Sequence, residues 1–265
     1  MHNDISAQDL RISHDDLGDL SSGQSIYIGC AGWSVAREHA AAFPGEGTHL
    51  QRYASRLNGV EINSSFYRPH RQQTYARWAD SVPRGFRFCV KVPKQITHER
   101  RLAGCEQRLE TFLAQCSGLG ERLGCLLVQL PPSLAFDEAV TERFFTALRE
   151  QYRGAVVLEP RHVTWASAEP VLIAYGIAQA AVDPSRIGTD TTPRGAPGME
   201  YWRLHGSPHL YYSPYDSQYL ASLAARLKTA AARSSVWCIF DNTASGAALS
   251  NALEIMALRA GTSKS

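Results

Sequence analysis

Long apolar runs are missing from this 265-residue chain. None reaches the ~18 consecutive apolar residues that a membrane-spanning helix needs, so no membrane is expected as a partner. Missing too is the cysteine spacing of a zinc ribbon, a CxxC motif or a disulfide framework: Cys30, Cys89, Cys105, Cys116, Cys125 and Cys238 stand apart. Cys89, Cys125 and Cys238 lie in or beside apolar strand-like runs, where a free thiol behaves as a small hydrophobe. The first 24 residues carry no apolar signal core. Residues 1–24 are therefore expected to form a disordered tail, and 25–260 a single domain of a reduced, cytoplasmic protein. An excess of one charge is also lacking. The net charge of +2 gives no general attraction to nucleic acid or to an acidic surface. Lysine is scarce beside arginine, whose planar fork suits bidentate contact with carboxylates and phosphates. No glycine-rich dinucleotide loop is found, nor an HxH or HExxH pair for a metal.

What the chain has is alternation. Hydrophobic residues make up 44%, enough for a sizeable core. Strand-like runs fall at 25–30, 59–63, 86–92, 125–129, from 156, at 177–182, 201–205 and 236–240. Helix-like stretches separate most of them, at 46–57, 70–80, 105–122, 137–150, 165–175, 216–231 and 245–258. Between the sixth and seventh strands, residues 185–198 are rich in Pro, Gly and Thr and read as an irregular crossover or a lid. Strands alternating with helices imply parallel pairing and right-handed crossovers. Eight such units in one α/β chain of this length predict a (β/α)8 TIM-type barrel of eight parallel strands. An open doubly wound sheet is the alternative.

The most informative stretch is Val156-Val157-Leu158-Glu159-Pro160-Arg161-His162, an apolar strand whose tip becomes acidic, then basic. Similar tips recur. Side chains alternate along a strand, and one parity collects Glu61 and Asn63, Lys91, Gln129, Glu159 and Arg161, Asp183, then Arg203 and His205. All sit at C-terminal strand ends, the face of a barrel that holds its active site. A purely structural ion network is the competing reading, but each buried ion costs several kcal/mol and pairing seldom recovers it fully. After the eighth strand, Asp241-Asn242-Thr243-Ala244-Ser245-Gly246 leads into the last helix. That stretch is either an anion seat at a helix N-terminus or a plain cap.

These blocks resemble the YecE-like family, the domain of unknown function 72. The similar segments are Ile28-Gly29-Cys30-Ala31-Gly32-Trp33, Val60-Glu61-Ile62-Asn63-Ser64-Ser65-Phe66-Tyr67, Phe86 through Lys94, and Ile96-Thr97-His98. They continue with Gln129-Leu130-Pro131-Pro132-Ser133, Leu158 through His162, Arg203-Leu204-His205-Gly206 and Phe240-Asp241-Asn242-Thr243. The resemblance runs from about residue 25 to 258 and implies a TIM-type barrel; it brings no reaction with it. Pro160 stands where the family pattern suggests phenylalanine, and Asp241 where asparagine is frequent.

Three functions compete. The first is a metal-free acid/base enzyme, a hydrolase, lyase or isomerase, acting on a small polar and anionic molecule, phosphorylated or carboxylated. Arg161 and Arg203 would clamp the anion, and Lys91 would stabilise developing charge. Glu159 and His205 would serve as general acid and base with Glu61 as a second carboxylate, a pair of acids that also allows a glycosidase-like variant. Asn63, Tyr67, His98, Gln129, His162, Asp183, Asn242 and Thr243 would complete the binding surface. No cofactor is expected in this reading. The second is a divalent-metal hydrolase or isomerase with Glu159, Asp183, His205 and Asp241 as ligands, which nearby Lys91, Arg161 and Arg203 would oppose. The third is a non-catalytic binding module, for a small ligand or for single-stranded nucleic acid stacked on Trp33, Phe66, Tyr67, Tyr211, Tyr212 or Tyr215; the weak net charge argues against nucleic acid. Cys30, at the end of the first strand, is a candidate nucleophile without an identifiable partner. Oligomeric state is not set by the sequence.

Overall fold

A computed structural model describes residues 25–261 apart from positions 44 and 189, so the tail expected at 1–24 lies outside the described residues. Among the described residues there are ten strands: β1 (Ile26–Cys30), β2 (Gly59–Ile62), β3 (Arg87–Lys91), β4 (Leu123–Gln129), β5 (Val156–Glu159), β6 (Ile177–Gln179), β7 (Ala181–Asp183), β8 (Arg194–Gly195), β9 (Met199–Leu204) and β10 (Ser235–Phe240). Two sheets result, in the orders β1-β10-β9-β7 and β2-β3-β4-β5-β6-β8. Every ladder is parallel except that of β6 with β8. Parallel neighbours need crossovers, and α1 (His49–Ala54), α2 (Ser64–Tyr67), α3 (Gln72–Asp80), α4 (Glu106–Cys116), α5 (Glu138–Gln151), α6 (Glu169–Ala174), α7 (Ser217–Ala230) and α8 (Ala247–Gly261) lie in the connections or close the chain. No helix among the described residues is long and apolar enough to cross a membrane.

The single ladder of eight strands expected from sequence is thus replaced by two sheets, divided at two seams. At the first, side chains stand in for the ladder. Asn58 Nδ2 donates to the Ile26 carbonyl at 2.8 Å, and its Oδ1 accepts from the Ile28 amide at 2.8 Å, as a peptide unit would. Tyr53 Oη accepts from the Cys30 amide at 2.8 Å and donates to the Gly59 carbonyl at 3.0 Å. Among the described residues a single backbone bridge, from Ala31 just past β1 to Glu61 of β2, crosses this seam. The two edges pass so closely that a Cβ on Gly29 would lie 1.9 Å from the Gly59 carbonyl oxygen. At the second seam the sixth expected strand divides around Ala180: β6 pairs with β5, whereas β7 pairs with β9.

Helix starts follow their caps. Thr48 and Gln51 form a capping box on α1, and Asp137 and Asp216 accept the Val140 and Tyr219 amides at the starts of α5 and α7. The helix expected over 105–122 stops at Cys116 and tightens to a 3-10 turn over Ser117–Arg122. A Cβ on Gly118 would meet the Gln72 carbonyl oxygen at 2.3 Å, so α3 can lie this close only to a glycine. The described residues of 185–198 are anchored: buried Asp190 accepts from Ser185 Oγ and from the Arg186 amide at 3.1 Å, and β8 pairs with β6.

Two cores result from strand alternation. The larger lies between sheets and helices and includes Ile28, Val60, Val90, Leu126, Leu158 and Phe240. The smaller, enclosed by strands of both sheets, contains Cys89, Cys125, Leu127, Val157, Ala178, Ala180, Val182, Tyr201, Trp237 and Ile239. This inner parity decides which strand-end residues share a site.

Candidate functional site

Continuing each inner row to its C-terminal end leads from the small core into a cluster of ions. Arg203, two residues beyond Tyr201, is fully buried at its centre. Its Nε donates to Glu61 Oε2 at 2.9 Å and a terminal nitrogen to Glu61 Oε1 at 2.7 Å, a bidentate pair. The other terminal nitrogen donates to Glu159 Oε2 at 3.1 Å, and Asp241 Oδ2 lies 3.0 Å from the fork. His205 sits between two carboxylates, with Nδ1 2.9 Å from Asp241 Oδ2 and Nε2 3.3 Å from Glu159 Oε1. Gln129 and Arg161 Nε also donate to Glu159 Oε1, at 2.9 and 3.0 Å.

The protonation states follow from this wiring. Burial pushes the Glu159 carboxyl up, but Arg203, His205 and Arg161 outweigh it and hold it well below the usual carboxylate range. Asp241 is likewise lowered, as Arg203 and His205 overcome its burial. Burial pulls the Arg203 guanidinium down, and Asp241, Glu61 and Glu159 raise it further than burial lowers it. Glu159, Asp241 and Arg203 are thus each held in the charged form.

Lys91 differs. It is 5% exposed, donates to Asn63 Oδ1 at 3.0 Å and lies 4.3 Å over the Phe66 ring. Among the described residues no carboxylate comes within ion-pairing distance of it. Burial, then Arg203, lower its pKa to about 8 against the smaller opposing pull of Glu61, Glu159 and Asp241. His98 packs edge-on against the same Phe66 ring, 4.9 Å between centroids, and its Nδ1 is 2.8 Å from Thr97 Oγ1. Burial, then Lys91 and Arg161, lower His98 to about 4. It belongs to a π-helical turn over Gln95–Glu99, an irregularity frequent at functional sites.

The structure therefore brings together Glu61, Asn63, Lys91, His98, Gln129, Glu159, Arg161, Arg203, His205 and Asp241. Other expected residues lie elsewhere. Asp183 belongs to the opposite row, because Ala178, Ala180 and Val182 face inward; its carboxylate accepts from Tyr215 Oη at 2.9 Å. His162 caps the short 3-10 helix Val163–Ser167, its Nδ1 2.9 Å from Thr164 Oγ1. Tyr67 is 66% exposed at the rim, edge-on to Phe66. Thr243 is exposed, and buried Asn242 donates to Ser213 O and Asn251 Oδ1. The anion seat expected before α8 is filled by the chain itself: the Ala244, Gly246, Ala248 and Leu249 amides donate to Tyr211, Thr243, Asn242 and Gly246 carbonyls. Tyr201, which donates to Glu61 Oε2 at 3.1 Å, was not anticipated, although it lies on the Arg203 row two residues earlier.

Three expected roles change. Both oxygens of Glu159 and of Glu61 are occupied by donors, and Glu159 holds no proton to give, so these acids are anchors rather than a glycosidase-like pair. The metal set loses Asp183 to the other face, and its remaining members converge on Arg203, where a cation would have to stand; no group of three or more His, Cys, Asp or Glu among the described residues could hold a metal. Cys30 is buried, which pushes its thiol up to about 12 and leaves no thiolate for attack.

Parallel α/β architecture with buried ions gathered at the C-terminal strand ends defines the class of molecule. Within it, the chain belongs to the family described as protein of unknown function DUF72, whose profile matches residues 27–264. UPF0759 protein YecE of Escherichia coli strain K12 is 34% identical over 106 residues, which span 40% of this chain and 38% of that protein. UPF0759 protein YunF of Bacillus subtilis strain 168 is 30% identical over 116 residues, spanning 40% of each. The matched segments thus cover well under half of these relatives. A DUF72 family protein from Thermotoga maritima MSB8 shares the fold, with a TM-score of 0.75 at 24% identity over 89% of this chain and 99% of that one.

Proposed function

We propose that the two sheets work as one TIM-type barrel and that the ion cluster lines its mouth. There the protein binds a small polar, anionic molecule, phosphorylated or carboxylated, and acts on it by acid/base chemistry that needs no metal. One observation carries this reading: Lys91 is a nearly buried ammonium with no carboxylate of its own. An unpaired buried cation is costly unless a ligand supplies the counter-charge. Arg161 supports it, because its Nε alone is spent on Glu159 and its charge acts on His98 together with that of Lys91. Arg203, Glu61, Glu159, His205 and Asp241 form the rigid wall that positions Arg161. His98, held off protonation near neutral pH, offers a neutral ring nitrogen as a weak proton acceptor. A reducing cytoplasmic setting agrees with six buried free cysteines.

A non-catalytic ligand-binding module is the second reading, favoured by the full occupation of the His205 and Glu159 polar atoms. Both readings require an anion site. Titration calorimetry with inorganic phosphate and with glyoxylate is expected to give saturable binding to at least one of them. Arg161→Gln is expected to weaken that binding about tenfold, or ~1.4 kcal/mol. If neither anion binds in the millimolar range, the anion site is lost from both readings.

A further inference from the structure

Resting on the anion-site reading, we propose a more specific role: Lys91 condenses with the carbonyl carbon of an anionic aldehyde or ketone, forming an imine at the barrel mouth. Two contacts define the setting of Nζ, and two neighbouring groups bear on its use. It is nearly sealed from solvent, and one of its hydrogens is fixed on Asn63 Oδ1 at 3.0 Å. It stands over Phe66 rather than in a carboxylate cage, so no ion pair must break before its nitrogen can attack. His98 shares the same aromatic floor, close enough for the charge of Lys91 to act on its ring. Arg161 supplies a fixed positive charge for a ligand's carboxylate or phosphate. A lysine kept only to hold an anion would gain from staying fully charged. Here burial and the Arg203 charge bring its pKa to about 8, so that most of it stays ammonium near neutral pH while a reactive share is the neutral amine; these are devices by which proteins turn a lysine into a nucleophile.

The neutral amine attacks the carbonyl carbon, a C–N bond forms, and the oxygen takes a proton to give a carbinolamine. The nitrogen then releases its proton, the hydroxyl leaves with one proton as water, and the C=N bond is complete. His98, packed against the same Phe66 ring, is the group assigned to accept a proton in these steps, with water carrying the others. Hydrolysis reverses every step, so no oxidant or reductant is consumed.

The test uses the intact protein with glyoxylate, the simplest anionic aldehyde, and with acetaldehyde as its neutral counterpart, each in the presence of cyanoborohydride. Hydride delivered to the imine carbon fixes the adduct, which glyoxylate leaves as a carboxymethyl group. Mapping is simple, because the chain has only Lys91, Lys94, Lys228 and Lys264. Lys91 is expected to be labelled by glyoxylate about tenfold faster than the half-buried, Glu99-paired Lys94 and the exposed Lys228, with a rate that rises with pH as the amine is freed. Arg161→Gln should slow glyoxylate labelling and leave acetaldehyde labelling unchanged. Absence of preferred labelling at Lys91 with both aldehydes overturns the imine, even where calorimetry shows glyoxylate binding and the anion site stands. Preferred labelling that is equal for the two aldehydes and indifferent to Arg161→Gln supports the imine and removes the anion site. The site is read from peptides of the unmodified chain; Lys91→Arg serves only as a blank.

Discussion

Lys91 is where the molecule carries an ion that its neighbours do not neutralise. Its surroundings comprise Arg203, Glu61, Glu159, Asp241 and His98, and burial with Arg203 prevails, lowering it from 10.5 to about 8. The folded pKa lies below the unfolded one, so between about pH 8 and 10.5 the unfolded chain binds the extra proton. The Lys91 contribution to stability therefore rises with pH across that window, and below it the folded state bears the full strain. Lys91→Met is expected to be more stable than the parent at pH 7, by roughly 3 kcal/mol at most. Loss of the bond to Asn63 will offset part of that gain. Urea midpoints of parent and variant at about pH 7 and about pH 10 test the point. The gap should shrink at the higher pH, and a gap independent of pH would mean that the ammonium is not strained.

Among the elements, the edge of β1 depends on two side chains instead of a neighbouring strand. Tyr53→Phe would strand the Cys30 amide and remove one partner of the Gly59 carbonyl in a buried seam. The expected cost is about 1–3 kcal/mol. Amide exchange should quicken at Cys30 while the β9–β10 ladder keeps its protection; uniform quickening would show that the hydroxyl supports the whole molecule rather than the seam. Such a seam illustrates what a sequence can reveal. Eight strand-like runs were legible from apolar spacing, and parity alone grouped Glu61, Lys91, Gln129, Glu159, Arg161, Arg203 and His205. Asp183 was misplaced because parity was counted from Ala181, whereas the chain turns Ala180 and Val182 inward. The interrupted ladder was not legible either. Asn58 and Tyr53 act through side-chain bonds to residues 32 and 23 positions away, for which no local pattern exists. Nor could spacing show that Glu61 meets Arg203 across 142 residues, the contact that turns an expected catalytic acid and an expected anion clamp into a fixed pair.

For the whole molecule, the ion cluster joins what the ladders leave separate. Arg203 belongs to the four-stranded sheet, yet it holds Glu61 and Glu159, both at strand ends of the six-stranded sheet. With Lys91 and Arg161 set against Glu61, Glu159 and Asp241, the cluster is near charge balance only while this arginine stays. Arg203→Met keeps much of the bulk but leaves three buried acids short of their shared partner. The expected loss is about 3–5 kcal/mol, much of it the cost of unpaired carboxylates rather than the worth of the bonds. Urea unfolding followed by tryptophan fluorescence, which includes Trp237 of the inner core, and by far-UV circular dichroism should give coincident transitions in parent and variant. Transitions that separate in the variant alone would mean that Arg203 is the tie making two sheets cooperate. Transitions that separate in the parent as well would count against the sheets acting as one barrel. Coincidence in both, with the expected loss, would assign cooperativity to the inner core that both sheets share and leave the ion cluster free to serve the proposed anion site, maintained at a cost in stability.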